Sequence, residues 1–449
     1  MRALCIVTLF LVACGPGPRP RPDGGNMDVD AGSDAGVDAG RLRGDEPPTG
    51  WSVALPLASD AGVMTRVGVS ASMALDQFGH PMVAALVVDP NGDGVLADNR
   101  LVFTRWNGVQ RAWQAPVTVE VIGDIEVNHP HRQVSLARNP TTGQIGIAYL
   151  NESGVVRYAR SENEGANFSL ENASAAVTDG SILSNPNLAY SGTTAHLSYV
   201  ARPACGMGAC GKIIHRTRPG MSGPWGSDAE VQGTLAARDW PFAMAVDSAG
   251  NPGFAFFSDD MAGAVTLSYV SMGSTQPIAT SSVMVDAMAK IPSVSLTLQG
   301  DVPRVAFHLL SATDPDAQLW YAQKTSGAWS TPVLIPRDGP VGMLDGTQWY
   351  QAVVSEGGTK VAVVANFQRA GTVGMLCGGP KLTRSADGTS FPIPCHPRES
   401  GGPTVHAINQ GGFWVNMASH VPGKLTIALD YEQRSNPTIG AGVIVYREP

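Results

Sequence analysis

The chain has 449 residues, 43% of them hydrophobic and 15% charged, with 52 glycines and 33 prolines. It is long and apolar enough to bury a substantial core, and rich in residues that punctuate turns. Thirty basic against 38 acidic residues leave a net charge of −8, which supplies no basic footprint for a nucleic-acid backbone and argues against that class of partner.

Arg2 precedes an apolar run from Ala3 to Ala13 that is too short to span a bilayer as a permanent helix, so residues 1–13 read as an export signal peptide. The run ends in Leu11-Val12-Ala13-Cys14, which resembles the bacterial lipobox. The resemblance implies acylation of Cys14 and a lipid bilayer as partner, each buried methylene adding ~0.8 kcal/mol. Gly15 stands where an aspartate would favour inner-membrane retention, so the expected location is the outer membrane of a Gram-negative bacterium.

Residues 14–48, with GPGPRPRP, DVDAGSDAGVDAG and DEPPTG, hold almost nothing large and apolar, and are expected to form a disordered tether reaching roughly 30 Å. Residues 49–449 form the folded domain.

From there one phrase recurs: apolar strand, tight turn, apolar strand. Seven copies, beginning near Ser72, Val134, Pro186, Phe242, Pro292, Tyr350 and Thr404, set a period of about fifty to sixty residues, the range of propellers and solenoids. The seventh copy is TVHAINQGGFWVNMAS, with its turn at Gln410 to Gly412. A third alternating strand follows each copy (LVFTRW, VVRYARS, KIIHRT, VTLSYV, LWYAQK, KLTRSA, GVIVYRE). A fourth follows in most, usually opened by an aromatic: Trp113, Phe168, Trp225, Trp329 or Phe391. The pattern predicts an all-β, seven-bladed β-propeller of four-stranded antiparallel blades. The last repeat ends at its third strand, while TGWSVALPLA at 49–58 matches SGAWSTPVLIP at 326–336. Trp51 to Ala58 should therefore pair with Gly442 to Glu448 and close the ring.

SENEGANF, from Ser161 to Phe168, resembles the Asp-box of bacterial neuraminidase repeats, with Asn163 in the aspartate position, and SADGTSF at Ser385 to Phe391 resembles it one residue short. In that family the box is a structural turn between third and fourth strands, away from the active face. The resemblance therefore implies a sialidase-like propeller fold and leaves the chemistry open.

Four cysteines remain in the folded domain, and in an oxidising compartment they read as two disulfides, Cys205 with Cys210 and Cys377 with Cys395. Zinc ligation is the alternative, with spacings unlike those of paired zinc knuckles.

Turns between first and second strands are uniformly tight, whereas connections between second and third strands vary in length. The variable connections and the crossovers into each blade emerge on one face, where function is expected. In the first blade's long loop, Asp89, Asn91, Asp93, the Val95 carbonyl and Asp98 place oxygens at near-alternate positions around Gly94, which suits calcium and resembles EF-hand loops. Arg100 stands where the closing glutamate belongs, and a plain Asx-rich turn is the other reading.

Residues entering the innermost strands are expected to rim the channel mouth as ligand contacts: His131, Arg132, Asn185, Arg238, Asp239, Trp240, Lys290, Gln348, Trp349 and Tyr350. Aromatics beside hydrogen-bonding groups suit a glycan, a peptide or a partner protein. Gap filling between blades is the plainer role for Trp240 and Trp349. His129 with His131 makes a pair too sparse for a metal centre.

Ligand binding is thus the first functional reading. A sialidase-like glycoside hydrolase is the second, kept open by Arg132, Arg238 and Arg398 on the same face, although the sequence has no Phe-Arg-Ile-Pro motif. A structural role at the outer membrane is the third. No nucleophile elbow, phosphate loop, dinucleotide fingerprint or metalloprotease helix occurs in the sequence, and apart from calcium no cofactor is expected.

Overall fold

The computed structural model describes residues 49–57, 67–87, 99–123, 133–175, 181–202, 211–220, 222–231, 240–259, 264–281, 293–311, 314–336, 351–367, 379–393, 411–421, 423–432 and 441–448. These strands pair antiparallel into seven separate sheets. The first sheet contains Val67–Leu75, Pro81–Val87 and Arg100–Asn107, completed by Ala112–Trp113 and Val117–Val121. The second runs through Val134–Arg138, Ile145–Leu150, Val156–Ser161 and Ser169–Asn172, and the third through Ile182–Ser191, Thr194–Arg202, Lys212–Arg218 and Ala229–Glu230. The fourth holds Ala243–Val246, Pro252–Asp259, Val265–Ser271 and Ser274–Ser281, the last without an opening aromatic. The fifth holds Val294–Thr297, Arg304–Ser311 and Asp314–Thr325, against which Ala328–Trp329 and Val333–Leu334 pair. The sixth shows three strands among the described residues, Gln351–Gly357, Lys360–Phe367 and Gly379–Ser385.

The seventh sheet carries the closure. Gly50–Leu57 pairs with Ala441–Arg447, in a register that sets Gly50 opposite Arg447, Trp51 opposite Tyr446 and Leu57 opposite Ala441. The first strand of the domain is therefore the outermost strand of the last blade, as the match between TGWSVALPLA and SGAWSTPVLIP predicts. Each innermost strand lies beside that of the next blade, and the seventh lies beside the first. The result is a seven-bladed β-propeller.

One expectation needs correction. The innermost strand of blade 7 is Gly411–Val421 and its partner is Lys424–Glu432, so the hairpin turn lies at residues 421–424 and not at Gln410 to Gly412. Gly423, at φ +78°, supplies the left-handed turn residue. Gln410-Gly411-Gly412 has the composition of a turn, but Gly411 is in a strand, opposite Tyr431.

Two devices join neighbouring blades. The first is a layer of small polar side chains on the innermost strands. Ser72 Oγ accepts the Leu136 amide at 3.0 Å, Ser135 Oγ the Leu188 amide at 3.0 Å, and Ser295 Oγ the Val353 amide at 3.2 Å. Asn187 and Asn416 occupy matching positions and donate through Nδ2 to the Phe242 and Ala71 carbonyls at 3.5 and 2.8 Å. A buried backbone group without a partner costs about 1–3 kcal/mol, so these contacts satisfy strand edges that face the next blade and not a sheet partner.

The second device is an edge-to-face aromatic pair between a third strand and the fourth-strand region of the next blade. Phe103 meets Phe168 at 5.3 Å, Tyr158 meets Trp225 at 5.2 Å, Tyr269 meets Trp329 at 5.3 Å, and Tyr321 meets Phe391 at 5.2 Å. Each is worth about 0.5–1.5 kcal/mol beyond the area it buries. Apolar clusters continue from blade to blade around them, as where Ile147 and Tyr149 pack with Leu86 and Phe103.

The turn after Ser161 folds on its own side chains. Ser161 Oγ donates to Asn163 Oδ1 and accepts the Gly165 amide, both at 2.8 Å. Gly165 has φ +86°, and a Cβ on it would stand 2.1 Å from Phe103 Cε1, so only glycine lets this turn close over the aromatic ring. Around Ser385 the arrangement repeats: Gly388 N–H reaches Ser385 Oγ at 2.9 Å, and a Gly388 Cβ would stand 2.8 Å from Tyr321 Cε1.

Candidate functional site

Strands alternate in direction, so first-to-second and third-to-fourth turns lie at one end of the blades. Second-to-third connections and the blade-to-blade crossovers join strand ends at the other. Chain segments such as those between Val87 and Asn99, Gly123 and Gln133, or Ile278–Ser281 and Ser293 therefore depart from and return to the same face.

Most of the expected contact residues, namely His131, Arg132, Arg238, Asp239, Lys290, Gln348, Trp349 and Tyr350, lie outside the described residues. So do the calcium loop at 89–98, the four domain cysteines and Cys14. Asn185 and Trp240 are described, and the structure brings them together inside the fold, not on its surface. Asn185 is fully buried at φ +53°, in the bulge between Ser184 and Asn187. Its Nδ2 donates to the Trp240 carbonyl at 3.4 Å. Trp240, 7% exposed, packs with Ala243, Phe257 and Val265. Asparagine tolerates the left-handed region and carries its own donor, which explains its place in a bulge where a crossover meets the innermost strand. Both side chains are buried between blades.

The central channel contains a cavity of about 470 Å³ toward its tight-turn end, lined among others by Leu75, Met244, Thr297, Val353 and Asn416. Its walls are backbone, small polar groups and aliphatic side chains.

A polar cluster that sequence reasoning missed sits at the loop-rich end between blades 1 and 2. The Tyr149 hydroxyl donates to a Glu120 carboxylate oxygen, and Arg157 holds the same carboxylate through Nη2 at 2.9 Å and Nε at 3.3 Å. Arg157 Nη1 also reaches Asn172 Oδ1 at 2.8 Å. Burial, reinforced by the Glu120 charge, pushes the Tyr149 hydroxyl far above its ordinary pKa. A neutral phenol with no exposed surface donates one hydrogen bond and presents no nucleophile to solvent. A tyrosine, a glutamate and an arginine are the residue types of a sialidase centre, but this trio ties two blades together. Glu120 is 29 positions from Tyr149 and 37 from Arg157 along the chain, so nothing in local spacing announces them.

No family profile matches the chain, and no curated protein matches it. Similar solved structures do exist. A polysaccharide lyase is 12% identical with a TM-score of 0.49, covering 87% of this chain and 91% of its own. The α-L-arabinanase of Penicillium chrysogenum is 13% identical with a TM-score of 0.46, covering 71% and 94%. The intramolecular trans-sialidase of Ruminococcus gnavus is 8% identical with a TM-score of 0.42, covering 68% and 92%. The architecture of this chain rests on its own strand pairing.

Proposed function

We propose that the protein is a lipid-anchored β-propeller that binds a glycan, peptide or partner protein on its loop-rich face. The observation that carries the reading is the division of the connections: the first-to-second strand turns are tight in every described blade, and most of the longest segments join strand ends at the opposite end, residues 219–228 being the exception. A rigid ring with its longest segments on one rim is a scaffold for recognition. On this reading His131, Arg132, Arg238, Asp239, Lys290, Gln348, Trp349 and Tyr350 supply the contacts, with Asn185 and Trp240 beneath them. The segment Asp89 to Asp98 holds calcium and stiffens the same rim. The serine-centred turns at Ser161 and Ser385 support kinship with neuraminidase repeats at the level of fold.

Acylated Cys14 and the tether hold the ring off the outer membrane, with the cysteine pairs oxidised in that compartment. A Cys14→Ser chain is expected in the soluble fraction, and its persistence in membranes would remove the anchor from the proposal. The test of binding is a glycan and peptide array probed with the chain lacking residues 1–48, followed by Trp349→Ala and Arg132→Ala against whatever is captured. The expected result is a restricted ligand set lost in both variants. Capture unaffected by either substitution would move the site elsewhere, and turnover of a fluorogenic sialoside would replace the binding reading with hydrolysis.

A further inference from the structure

Two blade interfaces are built on one plan and finished differently. Tyr158 in blade 2 and Tyr269 in blade 4 each lie over a glycine of the adjacent strand, such that a Cβ on Gly146 or Gly253 would come within 2.9 Å of the ring's Cε2. Each ring meets a tryptophan of the next blade edge-to-face, Trp225 or Trp329. Each also carries a cation from that blade, Arg218 Cζ or Lys324 Nζ, 5.5 Å from the ring centroid. Across the sheet Tyr158 is paired with Glu171, and Tyr269 with Gln276.

Between blades 2 and 3 the cation has its carboxylate, although Arg218 Nε and Trp225 Nε1 are buried there without hydrogen-bond partners. Arg218 forms an ion pair with Glu171 and is 3% exposed, and the Tyr190 hydroxyl fills the remaining space 2.6 Å from that of Tyr158. Between blades 4 and 5 each of those partners is changed. Gln276 replaces the carboxylate with a neutral amide whose Oε1 is buried without a hydrogen-bond partner. Lys324 forms no ion pair among the described residues. Leu298, three positions after the layer residue Ser295 as Tyr190 is after Asn187, leaves the tyrosine's space empty. What remains is a cleft of about 450 Å³, lined by Tyr269, Ser271, Leu298, Asp301, Lys324 and Thr325 among others.

The filled interface shows what the open one lacks: a single carboxylate on the cation, and a hydroxyl-bearing ring beside it. We propose that this cleft binds a uronic-acid residue of a polysaccharide, its carboxylate on Lys324 and its ring hydroxyls donating to Asp301. The carboxylate of Asp301 is fixed for that role, since Ser248 donates to it through its backbone amide at 2.8 Å and its hydroxyl at 2.6 Å. Asp247 also lines the cleft, so the two carboxylates there oppose a multivalent anion such as phosphate more strongly than they oppose the single carboxylate of a uronate on Lys324. The volume admits one or two sugar rings. This site is at the tight-turn end of the blades, opposite the loop-rich face, and stands without the reading given for that face.

The experiment is saturation-transfer NMR and calorimetry on the full chain in detergent, with tetragalacturonate, its methyl ester, tetraglucuronate and tetraglutamate as probes. Binding of at least one uronate is expected, weakened at least tenfold by Lys324→Met and by esterification, and kept within threefold in Lys324→Arg. The arginine variant and the ester keep the test valid should the methionine variant fold poorly. Absence of binding to both uronates, equal binding of the ester, or tetraglutamate bound as tightly as the uronates would each overturn the proposal. A uronate held on the loop-rich face would bind Lys324→Met as tightly as the wild type, which would also overturn this proposal while leaving the reading of that face intact.

Discussion

The indole N–H of Trp113 donates to Ser52 Oγ across 3.1 Å, and Ser52 Oγ lies 3.5 Å from the Val445 carbonyl to which it donates. Trp113 belongs to the outer strand of blade 1, Ser52 to the first strand of the domain, and Val445 to the last strand. The two ends of the domain and its first blade thus meet at one hydroxyl. Leu55, 1% exposed on the closing strand, packs in the same cluster as Val443, Val445 and Val102. Leu55→Ala is expected to cost ~2–5 kcal/mol, and Ser52→Ala about 1 kcal/mol. Urea unfolding monitored by tryptophan fluorescence measures both; a neutral Leu55→Ala would mean that the closing strand contributes little.

The serine-centred turns carry a steric prediction. Gly165→Ala forces a methyl against Phe103 in a left-handed backbone, and is expected to destabilise by roughly 3 kcal/mol or more. Gly154, at φ +66° with nothing within 4 Å of the place a methyl group would take, makes the control, at about 1–2 kcal/mol for Gly154→Ala. Equal losses in the two variants, read from thermal unfolding, would show that contact with the Phe103 ring is unimportant.

A pH dependence follows from two histidines on the blade 3 face turned toward blade 4. His196 Nδ1 and His215 Nε2 are 3.3 Å apart, and Phe254 meets the His215 ring edge-on. Burial, with the neighbouring His196 charge, pulls His215 down from 6.5 to about 4, and burial alone lowers His196. Bases whose folded pKa lies below the unfolded value contribute stability that is fully present above about pH 6.5 and is lost as pH falls toward about 4. The expected loss across that window is on the order of 2 kcal/mol after allowance for solvent screening. Denaturant midpoints from pH 7 to pH 4 for wild type and His215→Gln check it; parallel curves would exclude the pair as the cause.

The loop Asp89 to Asp98 makes a separate prediction. Calorimetric titration with calcium is expected to show one site, lost in Asp93→Ala, because removal of one charged oxygen from a set of five ligands weakens a hard-cation site most. Absence of heat in the wild type leaves an Asx-rich turn.

Much of the fold is legible in the sequence because a propeller repeats its pattern seven times. Strand alternation and turn glycines place most strands, and the likeness of Trp51–Leu57 to the outer strand of blade 5 reveals the closure. The blade 7 hairpin is not legible, because composition cannot distinguish the glycines at 411 and 412 from Gly423 as the turn residue; strand register decides. The interblade layer leaves a trace in Ser72, Ser135 and Ser295, each at the same place in its repeat, but Asn187 and Asn416 perform the job with the opposite hydrogen-bond polarity and hide it. Asn185 reads as a ligand contact because a polar residue at a channel mouth looks the same in sequence whether it faces solvent or satisfies a bulge. The Tyr149–Glu120–Arg157 cluster and the Lys324 cleft depend on packing between blades, which no single repeat displays.

The claim that the loop-rich face binds the ligand is tested most directly by amide hydrogen exchange of the soluble domain with and without the molecule captured on the array. Slowed exchange is expected in residues 124–132, 232–239 and 337–350. Slowing confined to the tight turns at 139–144, 247–251 and 298–303 would contradict it.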